Sequence, residues 1–316
     1  MNSLPVDLLE GGAEPLELPG AIEGRSPWQL AWARLRRDRL ALACLIVIAI
    51  IVIVALAAPL VAYLTGHGPN EEFTTTGLTP DGLPRPPSST FLFGTDDLGR
   101  DVLVRVVYGA RISLLSGVLA SSVAVALGVL VGLVGGYFGG LVDTVLARLM
   151  DVVLSFPFLL FAIALVSITG PGLWVSIFVI AFFSWASVGR VVRGQTLSLR
   201  EREYVEAARS LGAGDLRIMF VDILPNLVAQ VIVYLTLLIP SAVVFEATLS
   251  FLGLGVVPPA ATWGNMLSES LAYYRVAWWF VFFPGSALLV TTLAFNLLGD
   301  SVRDAFDPRG DRLFRR

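Results

Sequence analysis

Residues 40–64 read LALACLIVIAIIVIVALAAPLVAYL, twenty-five residues without a charge. A helix of about 20 apolar residues crosses the hydrocarbon core of a bilayer, so this run can span with some tilt. Similar runs cover 112–134, 223–245 and 276–299, and 38 uncharged residues fill 152–189. That last stretch is too long for one crossing, and Gly170-Pro171-Gly172 near its middle is a turn signal. It predicts two short spans, the first starting as early as Val145. The chain therefore reads as an all-α integral membrane protein with six transmembrane helices. Only 15% of its residues are charged, against about 25% in a soluble domain. Pro157 and Pro240 fall inside the third and fifth spans, where neighbouring helices can satisfy a freed carbonyl. Glycines 128, 132, 136 and 140 form a small-xxx-small ladder that lets another helix approach closely.

The flanks complete the map. Residues 1–26 carry five acidic side chains among Pro and Gly, with one basic residue, Arg25, and read as a disordered acidic tail. They lack the basic start and apolar core of a signal peptide. Over 27–39, Trp28, Trp32 and Leu35 recur at helical spacing while Arg34, Arg36 and Arg37 point elsewhere, which predicts a helix lying in the interface. With six spans both termini share a side. Placing them in the cytoplasm puts seventeen arginines inside and five outside, as the positive-inside rule expects. An extracytoplasmic loop then covers 65–111, a core covers 112–300 with a cytoplasmic loop at 190–225, and 301–316 is a cytoplasmic tail.

Composition removes whole classes of chemistry. All 22 basic residues are Arg, so a P-loop, whose lysine reaches the phosphates, cannot be built. With His67 and Cys44 the sole residues of their types, zinc sites with several His or Cys ligands and internal disulfides are excluded. No cofactor is expected, and a net charge of -3 argues against nucleic-acid binding. Asp96, Asp97 and Asp101 miss the alternating ligand pattern of a calcium loop, which favours a capped turn or contact surface. A membrane-embedded hydrolase using Asp143 and Asp151 is an alternative. Their eight-residue separation is about 12 Å along a helix, too far for a carboxylate pair sharing a proton.

The cytoplasmic loop is the most informative stretch. Tyr204–Leu211 reads YVEAARSL, a short helix stopped at Gly212; Asp215 can cap a second helix, and Pro225 opens the next span. Small side chains at Ala207 and Ala208 let such a helix seat in a groove of another protein, and Glu206 offers a carboxylate there. A pure assembly scaffold would also carry a docking loop, but does not need six kinked spans and a polar outer loop. Glu246 and Asn296 are polar residues within or beside spans, candidates for lining a translocation path.

EAARSLG, followed by Leu224-Pro225, resembles the cytoplasmic EAA loop of permease subunits in binding-protein-dependent ABC importers. The family's usual Ile two residues before that Leu is Asp222 here. GTDDLGRDVLVRVVYGARISL (94–114), GGYFGGLVD (135–143), EATLSFLGLGVVPPAATWGNML (246–267) and FNLLGDSVRDAFDPR (295–309) resemble the dipeptide, oligopeptide and nickel permeases, in particular the second of their two permease subunits. The resemblance implies a type I importer fold and a multi-pass protein of the bacterial inner membrane. It implies a non-catalytic subunit that forms half of a translocation path for peptides. The implied partners are a second permease in a heterodimer, two ATP-binding subunits, an extracytoplasmic substrate-binding protein and the bilayer. ATPase coupling falls to Tyr204, Glu206, Ala207, Ala208, Gly212, Asp215, Leu224 and Pro225.

Overall fold

The computed structural model describes residues 27–306. The expected acidic tail and the part of the expected C-terminal tail beyond Phe306 lie outside the described residues. Helix α1 (Pro27–Leu35) precedes α2 (Arg39–Leu56) and α3 (Ala58–Thr65). After an irregular segment come α4 (Val102–Phe138), α5 (Gly140–Ser155), α6 (Phe158–Thr169) and α7 (Leu173–Arg200). Then follow α8 (Glu203–Ser210), α9 (Asp215–Arg217), a π-helical segment (Ile218–Ile223), α10 (Leu224–Phe251), α11 (Trp263–Ser270) and α12 (Trp278–Phe306). Among the described residues, five helices are long and apolar enough to cross a bilayer: α2, α4, α7, the unbroken Asp215–Phe251 helix and α12. Helices α5 and α6, bent by 84°, make a sixth passage when counted as one.

The spans are apolar on their outward faces too. Ile46, Ile53, Leu56 and Leu60 are exposed along α2 and α3. Water would not tolerate such a surface, but lipid tails are as apolar as leucine and exert no force to bury it. Close packing does the work instead. Along α4, a Cβ added at Gly128 would lie 2.7 Å from the Val188 Cβ, one at Gly132 2.6 Å from the Gly189 carbonyl oxygen, and one at Gly136 2.6 Å from the Thr196 Cβ. The ladder therefore packs on α7 of the same chain. Gly140 is not one of its rungs: it lies past the end of α4 at φ +53° with nothing within 4 Å of an added Cβ.

Several spans are longer than their charge-free runs. Helix α4 begins at Val102, ten residues before the uncharged stretch, because the Asp101 Oδ1 accepts from the amides of Leu103 (2.8 Å) and Val104 (3.4 Å). Helix α7 runs on to Arg200 because its arginines have partners: Arg190 meets Asp151 at 2.7 Å, and Arg193 grips Asp143. The third span breaks at Pro157, which has no amide for the preceding turn. The sequence has Asp215 capping the second helix of the cytoplasmic loop, but the cap is Gly214, with no side-chain bond, and Asp215 is the first helical residue. Pro225 lies in the first turn of α10, as expected, but no break precedes it. The helix continues through it, widened into the π segment, whose closing bond runs from the Leu224 amide to the Met219 carbonyl.

Candidate functional site

Helix α8 lies at one end of the bundle on a pad of apolar side chains. Val205 is fully buried with Tyr137 and Leu133 of α4, Val188 and Val192 of α7, and Ile218, Met219 and Ile223 of the π segment; Ala208 and Ala213 pack against the same cluster. Tyr204, Ala207 and Leu211, spaced i, i+3, i+7, lie on the opposite side and are exposed, Leu211 at 89%. Glu206 and Gly212 are exposed beside them, and Gly212, at φ +83°, turns the chain where an L side chain is strained. One side of this helix thus holds to the bundle, while the other offers an apolar ridge with a carboxylate.

The remaining expected residues of this loop sit nearby. Asp215 accepts a 2.7 Å hydrogen bond from the Tyr137 hydroxyl, Leu224 packs on the apolar pad, and Pro225 is exposed. Asn226 donates to the Asp222 carbonyl at 2.7 Å. Sequence reasoning missed Val205 and Leu211, the anchor and the most exposed apolar tip. The alternation of 205 and 208 against 204, 207 and 211 was the available signal.

Glu246 and Asn296 part company. Glu246 is fully buried on α10, its Oε1 accepting from Ser250 Oγ at 2.7 Å, with Ser113 of α4 beside it. Asn296 is exposed on α12. Neither lines the groove between the α5–α6 bend, α7 and α10, a cavity of about 490 Å³ walled by Leu154, Phe158, Phe183, Ser187, Tyr234 and Phe245 among others. A second cavity of about 410 Å³ shares Tyr234 and Leu237 with it and adds Asn226, Gln230 and Arg303.

The opposite end of the bundle carries an ion cluster. Arg100 and Arg105 both meet the Asp96 carboxylate, at 2.6 and 3.1 Å, and both meet Glu269 of α11, at 3.2 and 3.0 Å. His67 Nδ1 pairs with Asp101 Oδ2 at 2.7 Å while its ring contacts Phe73 and Phe91. Asp96, Asp97 and Glu269 could converge on a cation, but two guanidiniums already fill that role. Asp143 and Asp151 are likewise each held by an arginine of α7, so the carboxylate hydrolase has no free pair to work with.

Residues 124–312 match the protein family described as binding-protein-dependent transport system inner membrane component, and residues 26–78 match the N-terminal TM domain of oligopeptide transport permease C. The chain is 42% identical over 284 residues to a di/tripeptide transport system permease protein of Pseudomonas aeruginosa (90% of this chain, 93% of the relative). It is 42% identical over 303 residues to the oligopeptide transport system permease protein OppC of Escherichia coli K12 (96% and 97%). Identity is 37% over 315 residues with OppC of Bacillus subtilis (98% and 99%). Among solved structures, an inward-facing MetNI methionine ABC transporter shares the fold, with a TM-score of 0.52, 19% identity, and coverage of 65% of this chain and 96% of that one. A ridge-bearing loop at the end of a six-passage bundle, on a chain related over nearly its whole length to such permeases, leads to one assignment: the chain belongs to the family of inner-membrane permease subunits of binding-protein-dependent ABC importers.

Proposed function

We propose that this subunit forms half of a peptide path through the bacterial inner membrane and couples it, through α8, to separate ATP-binding subunits. The reading rests most heavily on α8: anchored by Val205 and exposing Tyr204, Ala207 and Leu211, it has the form of a key without its lock. Ala207 lets the exposed face seat closely and Glu206 meets a donor in the groove, whereas Ala208, expected on that face, packs on the bundle side. The α8 end is cytoplasmic, as are both termini, because seventeen of 22 arginines then lie inside. A second permease completes the path along the groove of Phe158, Ser187 and Tyr234; Glu246, being enclosed, serves packing. An extracytoplasmic binding protein delivers the cargo. Peptides are the proposed cargo because the relatives named above carry di-, tri- and oligopeptides in their names.

The test is ATP turnover of the reconstituted complex with and without loaded binding protein. Ala207→Trp should block seating by bulk, and Leu211→Asp should put a charge into an apolar contact. Glu206→Ala leaves its partner unpaired, a loss of about 1–3 kcal/mol, enough to weaken docking roughly tenfold. All three variants should insert normally, and all should lose stimulation. Wild-type stimulation in both Ala207→Trp and Leu211→Asp would reduce the loop to a corner between spans.

A further inference from the structure

The sequence GGYFGGLVD closes a corner whose contacts the coupling reading leaves unexplained. At Gly139 the chain turns at φ +67°, and a Cβ there would lie 2.5 Å from Arg200 Nη1. That space admits the guanidinium of the last α7 residue, which donates to the carbonyls of Gly136 (3.3 Å) and Tyr137 (3.4 Å) at the end of α4. One turn into α5, Asp143 takes both Arg193 nitrogens, Nε to Oδ1 and Nη2 to Oδ2, the latter at 2.6 Å. Beyond the corner, the Tyr137 hydroxyl reaches Asp215, the first residue of the helix that becomes α10. Four membrane helices and both ends of the α8 loop are thus tied within a few residues of one another.

We infer that this corner is a clasp that makes α8 and the inner ends of α4, α5, α7 and α10 move as one body, with Asp143, Arg193, Arg200 and Tyr137 as positioning residues for coupling. The inference rests on the docking of α8 proposed above. Its physical basis is the number and direction of the ties. A bidentate guanidinium–carboxylate pair fixes orientation as well as distance, whereas α8 is joined in sequence to α7 by Glu201 and Arg202 and otherwise held by the non-directional packing of Val205. A push on α8 without the clasp would tilt the helix on its apolar pad. With it, the push displaces the helices that line the groove.

The experiment uses the full complex in nanodiscs, with both permeases, the ATP-binding subunits and peptide-loaded binding protein. Three quantities are read: ATPase subunits retained on the permease pair, basal turnover, and stimulation by loaded binding protein. Asp143→Asn and Tyr137→Phe should keep retention and basal turnover and lose stimulation by about fivefold or more, the usual size of a coupling between sites. A merely structural role would lower assembly and leave the stimulation ratio of the assembled fraction unchanged. If Asp143→Asn fails to accumulate, Tyr137→Phe, which removes one hydroxyl, decides the matter. Ala207→Trp runs alongside. Loss of retention in Ala207→Trp with wild-type stimulation in the assembled clasp variants overturns the clasp alone. An Ala207→Trp complex that behaves as wild type overturns the docking of α8 and the clasp with it.

Discussion

Arg105 has no exposed surface, yet it carries a charge, and its guanidinium meets Asp96 and Glu269 from the first turn of α4. Removing one partner of a buried pair costs about 3–5 kcal/mol, because the remaining charges stay buried without compensation. Arg105→Met should therefore loosen residues 94–105, seen as faster proteolysis of the outer segment and lower accumulation. Glu269 supplies a pH signature. Burial outweighs Arg105 and Arg100 and holds its carboxyl above the ordinary range. A carboxyl raised on folding contributes stability that is fully present below its unfolded value and drains away as pH climbs through the folded one. The thermal midpoint of the purified complex should fall over that window, and Glu269→Gln should flatten part of the fall; Asp97, also raised by burial, adds to it. A capped turn was legible at Asp96 and Asp101 because such bonds span two to four residues. The partners Glu269 and His67 were not, since they lie 164 and 34 positions from Arg105 and Asp101.

Among the described helices, α4 and α7 share the most extensive contact, and glycines of α4 lie along it. A leucine at Gly132 would thrust into the Gly189 carbonyl, the Arg193 amide and Val192. Backbone cannot move aside as a side chain does, so the cost should exceed the usual ~1–3 kcal/mol of overpacking. Gly132→Leu should abolish accumulation of the subunit. Gly194→Ala, where an added Cβ meets nothing within 4 Å, should leave accumulation unchanged, and membrane immunoblots of both compare the two. Most spans were readable from charge-free runs because a bilayer core excludes unpaired charge. Their ends were not, because Arg105, Arg193 and Arg200 lie within helices once they have partners. The π segment escaped for a related reason: Pro225 signals a break, and only neighbouring turns decide whether the helix stops or widens.

Across the whole molecule, the split of seventeen arginines to five makes orientation testable. With Cys44 replaced, single cysteines at Ser89 and Ser198, both exposed, should react with an impermeant thiol reagent in intact cells at position 89 alone. Labelling at 198 but not 89 would invert the proposed topology. Function was legible at this scale because several motifs in order outweigh any one of them, whereas the groove was not: Leu154, Ser187 and Tyr234 share no local pattern and meet only through the α5–α6 bend. Helix α4 has a consequence of its own. Its 37 residues run from the Asp101 cap beside the outer ion cluster to Tyr137 beside α8, a rod of about 55 Å at 1.5 Å per residue. A strut shared by two binding events makes them thermodynamically reciprocal. If nucleotide on the proposed ATP-binding subunits alters the grip of the segment beside the ion cluster on the proposed binding protein by some factor, that protein must alter nucleotide affinity by the same factor, and a pair of titrations measures one number twice.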